Sequence, residues 1–284
     1  MTTSVVFVHG GVAGRQKEAV DLSAAVGAGS GAAGGVDAIE RAVMVLEDHP
    51  ELNAGIGSVV TRAGNIELDA GIADGARRSV GGVAGVTVRH PIFLARRVME
   101  QTPHVLITGA GAMALANDLE RLDGPTEKQR VRWEKALGRG ELDPDRFGAP
   151  EHVDTVGAVA LGSSGDLAAG SSTGGVFGKL PGRVGDAPIF GTGVFANEQV
   201  AVIGTGVGEV FLEALASVRV ALMVEQGDDP QRACERVIEF LGTRSEAAAG
   251  LLALDRDGRI GAAYRGGSWS VEGPAGPVKA TKLG

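Results

Sequence analysis

The sequence predicts a mixed α/β protein in which antiparallel sheets are covered by helices. Two pairs of short apolar runs, 157–161 with 167–171 and 251–254 with 260–264, are joined by turn residues. The links are Gly162-Ser163-Ser164-Gly165-Asp166 and Asp255-Arg256-Asp257-Gly258. They are far too short for a parallel crossover, which needs a dozen or more residues, so both pairs read as hairpins. Helical patterns and hairpins each form contiguous blocks, which argues against a doubly wound parallel sheet. Glycine supplies 46 of the 284 residues without a three-residue period, which excludes collagen and signals tight turns and close backbone approaches.

Residues 4–8 form a β-branched run that stops at His9-Gly10-Gly11, a buried strand entering a Gly-rich turn. In 36–47 the residues Ile39, Ala42, Val43 and Leu46 recur at helical spacing, an amphipathic helix. Helix patterns return at 91–101, 208–225 and 230–241. In the last, Ala233, Cys234, Val237, Ile238 and Leu241 make one apolar stripe, which makes Cys234 a core residue. A further strand is expected at 200–203. The segment 117–150 alternates charges and ends in a Gly/Pro tract; it is expected to hold a solvated helix and then a mobile linker running to residue 154.

Composition narrows the function classes. The net charge is −8 and no dense Lys/Arg run occurs, so nucleic acid and anionic membrane are poor partners. Aromatics make up only 4% of the chain, too few for base-stacking platforms. Cys234 is the single cysteine, so the chain forms no internal disulfide and no multi-thiolate zinc site. The first ten residues lack the basic and long apolar regions of a signal peptide, and no apolar stretch is long enough to cross a bilayer; a soluble cytoplasmic protein is expected. His9, His49, His90, His104 and His152 are scattered without metal-ligand spacing and read as structural or surface residues, with His9 alternatively shaping a site from a strand end. Asp69 and Asp74 read as loop-holding residues, and Trp133 and Trp269 receive no role.

The exposed linker runs abruptly into an apolar strand that opens with Asp154-Thr155. If the Thr155 hydroxyl attacked the Asp154 carbonyl, an N→O acyl shift and hydrolysis would split the chain there. The new terminus would carry a hydroxyl and an amine on one residue. An α-amino group titrates near about 7.7–8.0, so it can serve as general base for its own hydroxyl. Asp-Thr alone reads as an ordinary strand pair, but its surroundings favour chemistry. The hairpin returns Thr173 to the strand end that bears Thr155. Beyond it, Arg183 and Asp186 in a Gly/Pro loop match the carboxylate and ammonium of a free amino acid. Gly204-Thr205-Gly206-Val207-Gly208-Glu209 then leaves a strand and opens a helix, where backbone N–H groups and the Thr205 hydroxyl can meet an oxyanion.

These blocks resemble the plant-type (type 2) L-asparaginase and isoaspartyl aminopeptidase family of N-terminal-nucleophile hydrolases. The similar residues are His9-Gly10-Gly11, 37–47 with Leu52-Asn53-Ala54-Gly55-Ile56-Gly57, Glu67-Leu68-Asp69-Ala70 with Asp74-Gly75, 99–105, and 154–209. The resemblance implies a single domain over residues 1–284 with a four-layer αββα sandwich of mainly antiparallel sheets, split by self-cleavage into 1–154 and 155–284 and assembled as a dimer of such units. It implies Thr155 as nucleophile, Thr173 as its tuning partner, and Thr205 and Gly206 lining the oxyanion region, with Asn53 as a further polar contributor. Arg183 would bind the substrate α-carboxylate and Asp186 its α-ammonium, with Gly208 adding backbone to the pocket. Backbone carbonyls of Leu46, Glu47, Leu52, Ala54 and Ile56 would correspond to the family's sodium loop. The implied substrates are L-asparagine and β-aspartyl dipeptides, and the chemistry needs no redox or organic cofactor.

Departures from the family pattern are Asp154 where many relatives have glycine, Ser171 where threonine is common, and Val207 between the two glycines. They bear on substrate preference more than on catalytic competence. Three other readings stay open: a glycosylasparaginase-like amidase, a nucleotide-binding module using the Gly204–Gly208 turn, and an uncleaved scaffold.

Overall fold

The computed structural model of the chain describes residues 3–13, 19–142 and 155–284. Its first part comprises β1 (Val5–Ala13), α1 (Ser23–Ser30), α2 (Gly35–Glu47), a 3-10 turn at Gly55–Gly57, β2 (Leu68–Asp74), β3 (Ser79–Val86) and α3 (Pro91–Gln101). β4 (Leu106–Thr108), α4 (Gly109–Ala114) and α5 (Glu127–Gly138) complete it. The second part holds β5 (Val156–Leu161), β6 (Leu167–Thr173), β7 (Val194–Ala196), β8 (Val200–Gly206), α6 (Gly208–Ala214), α7 (Ala216–Glu225) and α8 (Pro230–Gly242). Then come β9 (Ala249–Asp255), β10 (Ile260–Arg265), β11 (Ser268–Gly273), β12 (Gly276–Pro277) and β13 (Thr281–Lys282).

Among the described residues the strands form an eight-stranded sheet, ordered β12-β11-β1-β5-β6-β2-β3-β4, and a five-stranded sheet, ordered β13-β10-β9-β8-β7. Pairing is antiparallel except at β3/β4 and β10/β13. Both hairpins expected from turn chemistry are present, pairing Val156 with Ser172 and Ile260 with Leu254. Their tips need glycine: Gly165 and Gly258 have φ of +85° and +80°, a region that other residues enter only at a cost.

The strands are apolar on both faces because each sheet is covered twice. In β8, Val200 and Val202 pack toward the helices α6–α8, whereas Ala201 and Ile203 join the layer between the sheets. β9 repeats this with Leu251 and Ala253 against Leu252 and Leu254. In β5, Val156, Ala158 and Ala160 face a second helical layer that includes α2 and α3, while Val159 faces the other sheet. Period-two alternation thus sorts residues between two apolar layers rather than between core and water, giving the αββα sandwich implied by the resemblance.

The helix patterns at 36–47, 91–101 and 230–241 form α2, α3 and α8, and Cys234 is buried in the stripe expected of it. The pattern at 208–225 does not make one helix. Leu215 adopts φ +52° and breaks it into α6 and α7. The break turns the backbone so that the Ser217 and Val218 N–H groups donate to the Thr192 and Gly191 carbonyls at 3.2 and 2.9 Å. Tertiary hydrogen bonds override local periodicity there. In the charged segment, α5 is capped by the Thr126 hydroxyl and is less solvated than expected. Its Gln129 side chain donates to the Gly57 carbonyl at 3.1 Å, and Trp133 Nε1 donates to the Arg62 carbonyl at 3.2 Å. The mobile linker expected to reach residue 154 falls, from residue 143 onward, outside the described residues.

Candidate active site

Thr155 immediately precedes β5, and the β5–β6 register carries Thr173 back beside it. The two hydroxyls are 3.3 Å apart, both on buried residues. Thr173 Oγ1 also accepts the Gly175 N–H at 2.9 Å. From the other sheet, β8 brings Thr205, whose hydroxyl accepts from the Thr155 nitrogen and from the Val12 N–H, each at 3.3 Å. A hydroxyl has two acceptor sites and one hydrogen. With both acceptor sites used, the Thr205 hydrogen is left to donate to something that enters the site. Asp154, the other half of the expected cleavage junction, lies outside the described residues.

Gly206 ends β8 and Gly208 starts α6. A methyl on Gly208 would lie 2.8 Å from Arg183 Nη2 and 3.1 Å from the Asp186 nitrogen, so only glycine lets the helix touch the Arg183–Asp186 loop. Gly204 and Gly206 have a different reason for lacking side chains: a methyl on either would fall within 2.5 Å of the Phe211 ring. These glycines make room for an aromatic ring instead of a phosphate, and β8 pairs antiparallel with both neighbours, so the nucleotide-loop reading has no βαβ unit to stand on.

Arg183 and Asp186 are brought together as expected, but the arginine is already engaged. Its Nε and Nη2 donate to the two carboxylate oxygens of Glu209 at 2.9 and 2.8 Å. This fixes the guanidinium plane and leaves the Nη1 edge beside Gly175 and Gly185, where methyl groups would meet it at 3.3 and 2.8 Å. Asp186 is 3% exposed and its Oδ2 has no hydrogen-bond partner among the described residues. Burial pushes its carboxyl up to about 7, against the pull of Arg183. A buried carboxylate oxygen without a partner is costly; an incoming ammonium group would relieve it.

Asn53 holds the turn beneath the site. Its Nδ2 donates to the Gly175 carbonyl at 2.7 Å, its Oδ1 accepts from Val59 N–H at 2.9 Å, and its own carbonyl accepts from Gly174 N–H at 3.0 Å. Leu46 and Glu47 end α2, and Leu52, Ala54 and Ile56 run into the 3-10 turn. Gly55, with φ +49°, passes so close that a methyl would lie 2.2 Å from the Glu47 carbonyl oxygen; on Gly57 a methyl would meet the Leu52 oxygen at 2.2 Å and the Pro50 oxygen at 2.8 Å. Glycine at these two positions lets the turn pass close to the backbone oxygens of Glu47, Pro50 and Leu52. Among the described residues no cluster of His, Cys, Asp and Glu side chains is arranged for a metal.

Several neighbours escaped sequence reasoning. Glu209 was visible only as the end of the Thr-Gly-x-Gly-Glu block, with nothing to tie it to a residue 26 positions away. Lys179 is wholly buried beside Asp69, although a lysine in a Gly/Pro loop reads as solvated. Trp269 packs its ring 5.6 Å from His9, and His9 Nδ1 accepts from the Gly11 N–H at 3.2 Å. Burial holds the His9 imidazole down to about 3, so it is neutral. Of the other assignments, Asp74 does shape a loop, taking the Ala76 and Arg77 N–H groups at 3.0 and 3.1 Å.

A hydroxyl residue at a strand end between two sheets, each faced by helices, defines the N-terminal-nucleophile class of hydrolase. Within it, the chain matches the family model described as Asparaginase over residues 12–270. It is 42% identical over 261 residues to an isoaspartyl peptidase of Salmonella typhimurium, covering 87% of this chain and 83% of that protein. It is 38% identical over 271 residues to an isoaspartyl peptidase/L-asparaginase of Homo sapiens (89% and 87% covered), and 41% identical over 241 residues to a plant-type L-asparaginase of Pyrococcus abyssi (80% and 78% covered). The chain belongs to the asparaginase family of Ntn hydrolases.

Proposed function

We propose that this chain is a self-cleaving threonine amidohydrolase that releases L-aspartate from L-asparagine and β-aspartyl dipeptides. The single observation that carries the reading is the buried meeting of Thr155, Thr173 and Thr205, next to an arginine and a buried carboxylate with one oxygen free.

After cleavage between Asp154 and Thr155, the neutral Thr155 amine takes the proton from its own Oγ1, which attacks the substrate side-chain carbonyl. The Thr173 hydroxyl, oriented by the Gly175 N–H, steadies the charge developing on that oxygen. The Thr205 hydrogen and the Gly206 backbone serve the oxyanion, and Asn53 supports them by holding the Gly175 carbonyl. The amine or ammonia leaves with the proton carried by Thr155 nitrogen, and water then releases aspartate from the ester. The α-carboxylate takes the free edge of Arg183, and the α-ammonium takes Asp186. Both substrates present the same aspartyl half, which is why one pocket serves both.

Base, nucleophile and oxyanion donors are all atoms of the chain, so no organic cofactor enters. A sodium ion would be held by the carbonyls of Leu46, Glu47, Leu52, Ala54 and Ile56; it would supply no chemistry to the reaction, only rigidity to the loop that carries Asn53. We read the unit as a homodimer of cleaved chains, as the resemblance implies. The lone buried cysteine suits a reducing, cytoplasmic setting, and among the described residues no helix is long and apolar enough to cross a membrane.

The names of the relatives favour this reading over a glycosylasparaginase. Intact-mass analysis under denaturing conditions tests it: two fragments are expected, the second beginning at Thr155, with ammonia released from L-asparagine. Thr155→Ala should abolish both. An active Thr155→Ala protein, or an active wild type with an unbroken backbone, would overturn the proposal.

A further inference from the structure

Lys179 is the one lysine among the described residues whose side chain is fully buried, and it lies beside the candidate site. Its Nζ donates to the Glu67 carbonyl at 2.8 Å and stands 3.8 Å from Asp69 Oδ2. Asp69, equally buried, accepts the Gly85 N–H at 3.0 Å through Oδ1, and the β2–β6 register sets it opposite Thr173. The end of the lysine runs under Gly175: a methyl there would lie 2.8 Å from Cδ and 2.9 Å from Nζ. Gly175, with φ +78°, is the peptide whose N–H orients the Thr173 hydroxyl and whose carbonyl takes the Asn53 amide.

Stability gives little reason for this arrangement. A buried ion pair loses about as much hydration as it gains in attraction, and an apolar side chain of similar volume commonly serves as well. The pair does, however, sit one peptide away from the hydroxyl that faces the nucleophile. We propose that Lys179, paired with Asp69, is a positioning residue for Thr155: its ammonium braces the Gly175 peptide from below, fixing the Thr173 hydroxyl, and sets the potential in which the Thr155 amine titrates. The inference rests on the reading of Thr155 as both base and nucleophile.

The signs follow from the charges. Removing the ammonium leaves the Asp69 carboxylate with only the Gly85 N–H and Arg183 to offset it; the added negative potential makes the Thr155 amine more basic and moves the acid limb of activity to higher pH. Removing the carboxylate's charge does the reverse. The other charged groups around the pair are Glu67 before β2, Arg183 and Asp186 on the loop, and Glu209 on α6. His9 on β1 faces Thr155 and stays neutral. At saturating substrate Asp186 is covered by the substrate ammonium, so the pH profile of kcat reports the amine.

The test compares wild type, Lys179→Met and Asp69→Asn by intact mass, Tm, and kcat and KM for L-asparagine across pH. Lys179→Met should lower kcat by about tenfold or more, the scale of a slight misplacement of reacting groups, with KM little changed and the acid limb displaced upward. Asp69→Asn should displace that limb downward. A folded Lys179→Met chain that fails to split is the extreme of the same loss, because one hydroxyl opens both reactions. If only one variant folds, the direction of its limb decides. Limbs that stay put, limbs that move the same way, or kcat within twofold of wild type overturn the inference, as does failure of both variants to fold, which would assign the pair to the fold alone. A wild type that neither splits nor releases ammonia would instead overturn the functional reading.

Discussion

The Thr155 nitrogen and the Thr205 hydroxyl are 3.3 Å apart across the two sheets, and the same hydroxyl takes the Val12 N–H. Thr205 is therefore oriented by backbone from β1 and by the nucleophile itself, with its hydrogen directed elsewhere. Removing an oriented oxyanion donor typically costs about 10²–10³ in kcat. Thr205→Val should lower kcat for L-asparagine on that scale with KM within a few-fold, whereas Thr205→Ser should retain most of the activity. Steady-state ammonia release measures both; a Thr205→Val enzyme as fast as wild type would remove Thr205 from the mechanism.

Asp186 yields a prediction with two linked readouts. Its carboxyl is raised from an ordinary 3.8 to about 7 by burial. Between those values the unfolded chain binds fewer protons than the native one, so this group lowers stability as pH rises from about 4 to 7. Asp186→Asn should remove that penalty and raise Tm at neutral pH. The same variant should raise KM for L-asparagine steeply, because an amide does not neutralise the substrate ammonium. Substrate affinity of the wild type should weaken below pH 7 as the carboxyl protonates. Thermal melts and KM measured from pH 5 to 8 check both halves.

His9 runs in the opposite direction. Its imidazole is held from 6.5 down to about 3 by burial, so the folded chain refuses a proton that the unfolded chain accepts. Stability therefore falls as pH drops below 6.5, by roughly 3 kcal/mol at pH 4 from this residue alone. His9→Asn should flatten the acid side of the stability profile even if the packing against Trp269 is weakened and the plateau at pH 7 is lower. Urea unfolding at pH 4, 5.5 and 7 gives the slope directly; an unchanged slope would contradict a neutral buried His9.

Much of this architecture was legible because turn chemistry and periodicity are local. The 162–166 and 255–258 links named both hairpins, and the first hairpin alone placed Thr173 beside Thr155. Arg183, Asp186 and Thr205 followed from blocks whose residue types match the chemistry of a free amino acid and an oxyanion. What stayed hidden depends on distant partners. Nothing near Leu215 announces a left-handed residue, since the break is made by hydrogen bonds to 191 and 192. Nothing near Lys179 distinguishes a buried ammonium from a solvated one, since Asp69 lies more than a hundred positions earlier. Asn53 was expected toward the oxyanion, but the carbonyl that its amide holds belongs to a turn in the other half of the chain.

Leu215 connects this non-local feature to substrate binding. Its left-handed conformation, at φ +52°, costs a residue with a side chain about 1–2 kcal/mol, and the side chain is half exposed, so it gains little packing in return. The conformation is held because the break between α6 and α7 lets Ser217 and Val218 seize the Gly191–Thr192 turn, with Ser217 Oγ donating to the Thr192 carbonyl at 2.6 Å. The Thr192 hydroxyl in turn shares its hydrogen between the Ile189 and Asp186 carbonyls, at 2.9 and 3.2 Å. Leu215→Asn keeps a side chain that tolerates the left-handed region and should raise Tm by a few degrees with KM unchanged. Leu215→Val puts a β-branched side chain there, which the backbone resists most; it should lower Tm and, by loosening the Asp186 loop through Thr192, raise KM for L-asparagine more than it lowers kcat. Equal effects of the two substitutions on Tm would show that the left-handed turn carries no strain.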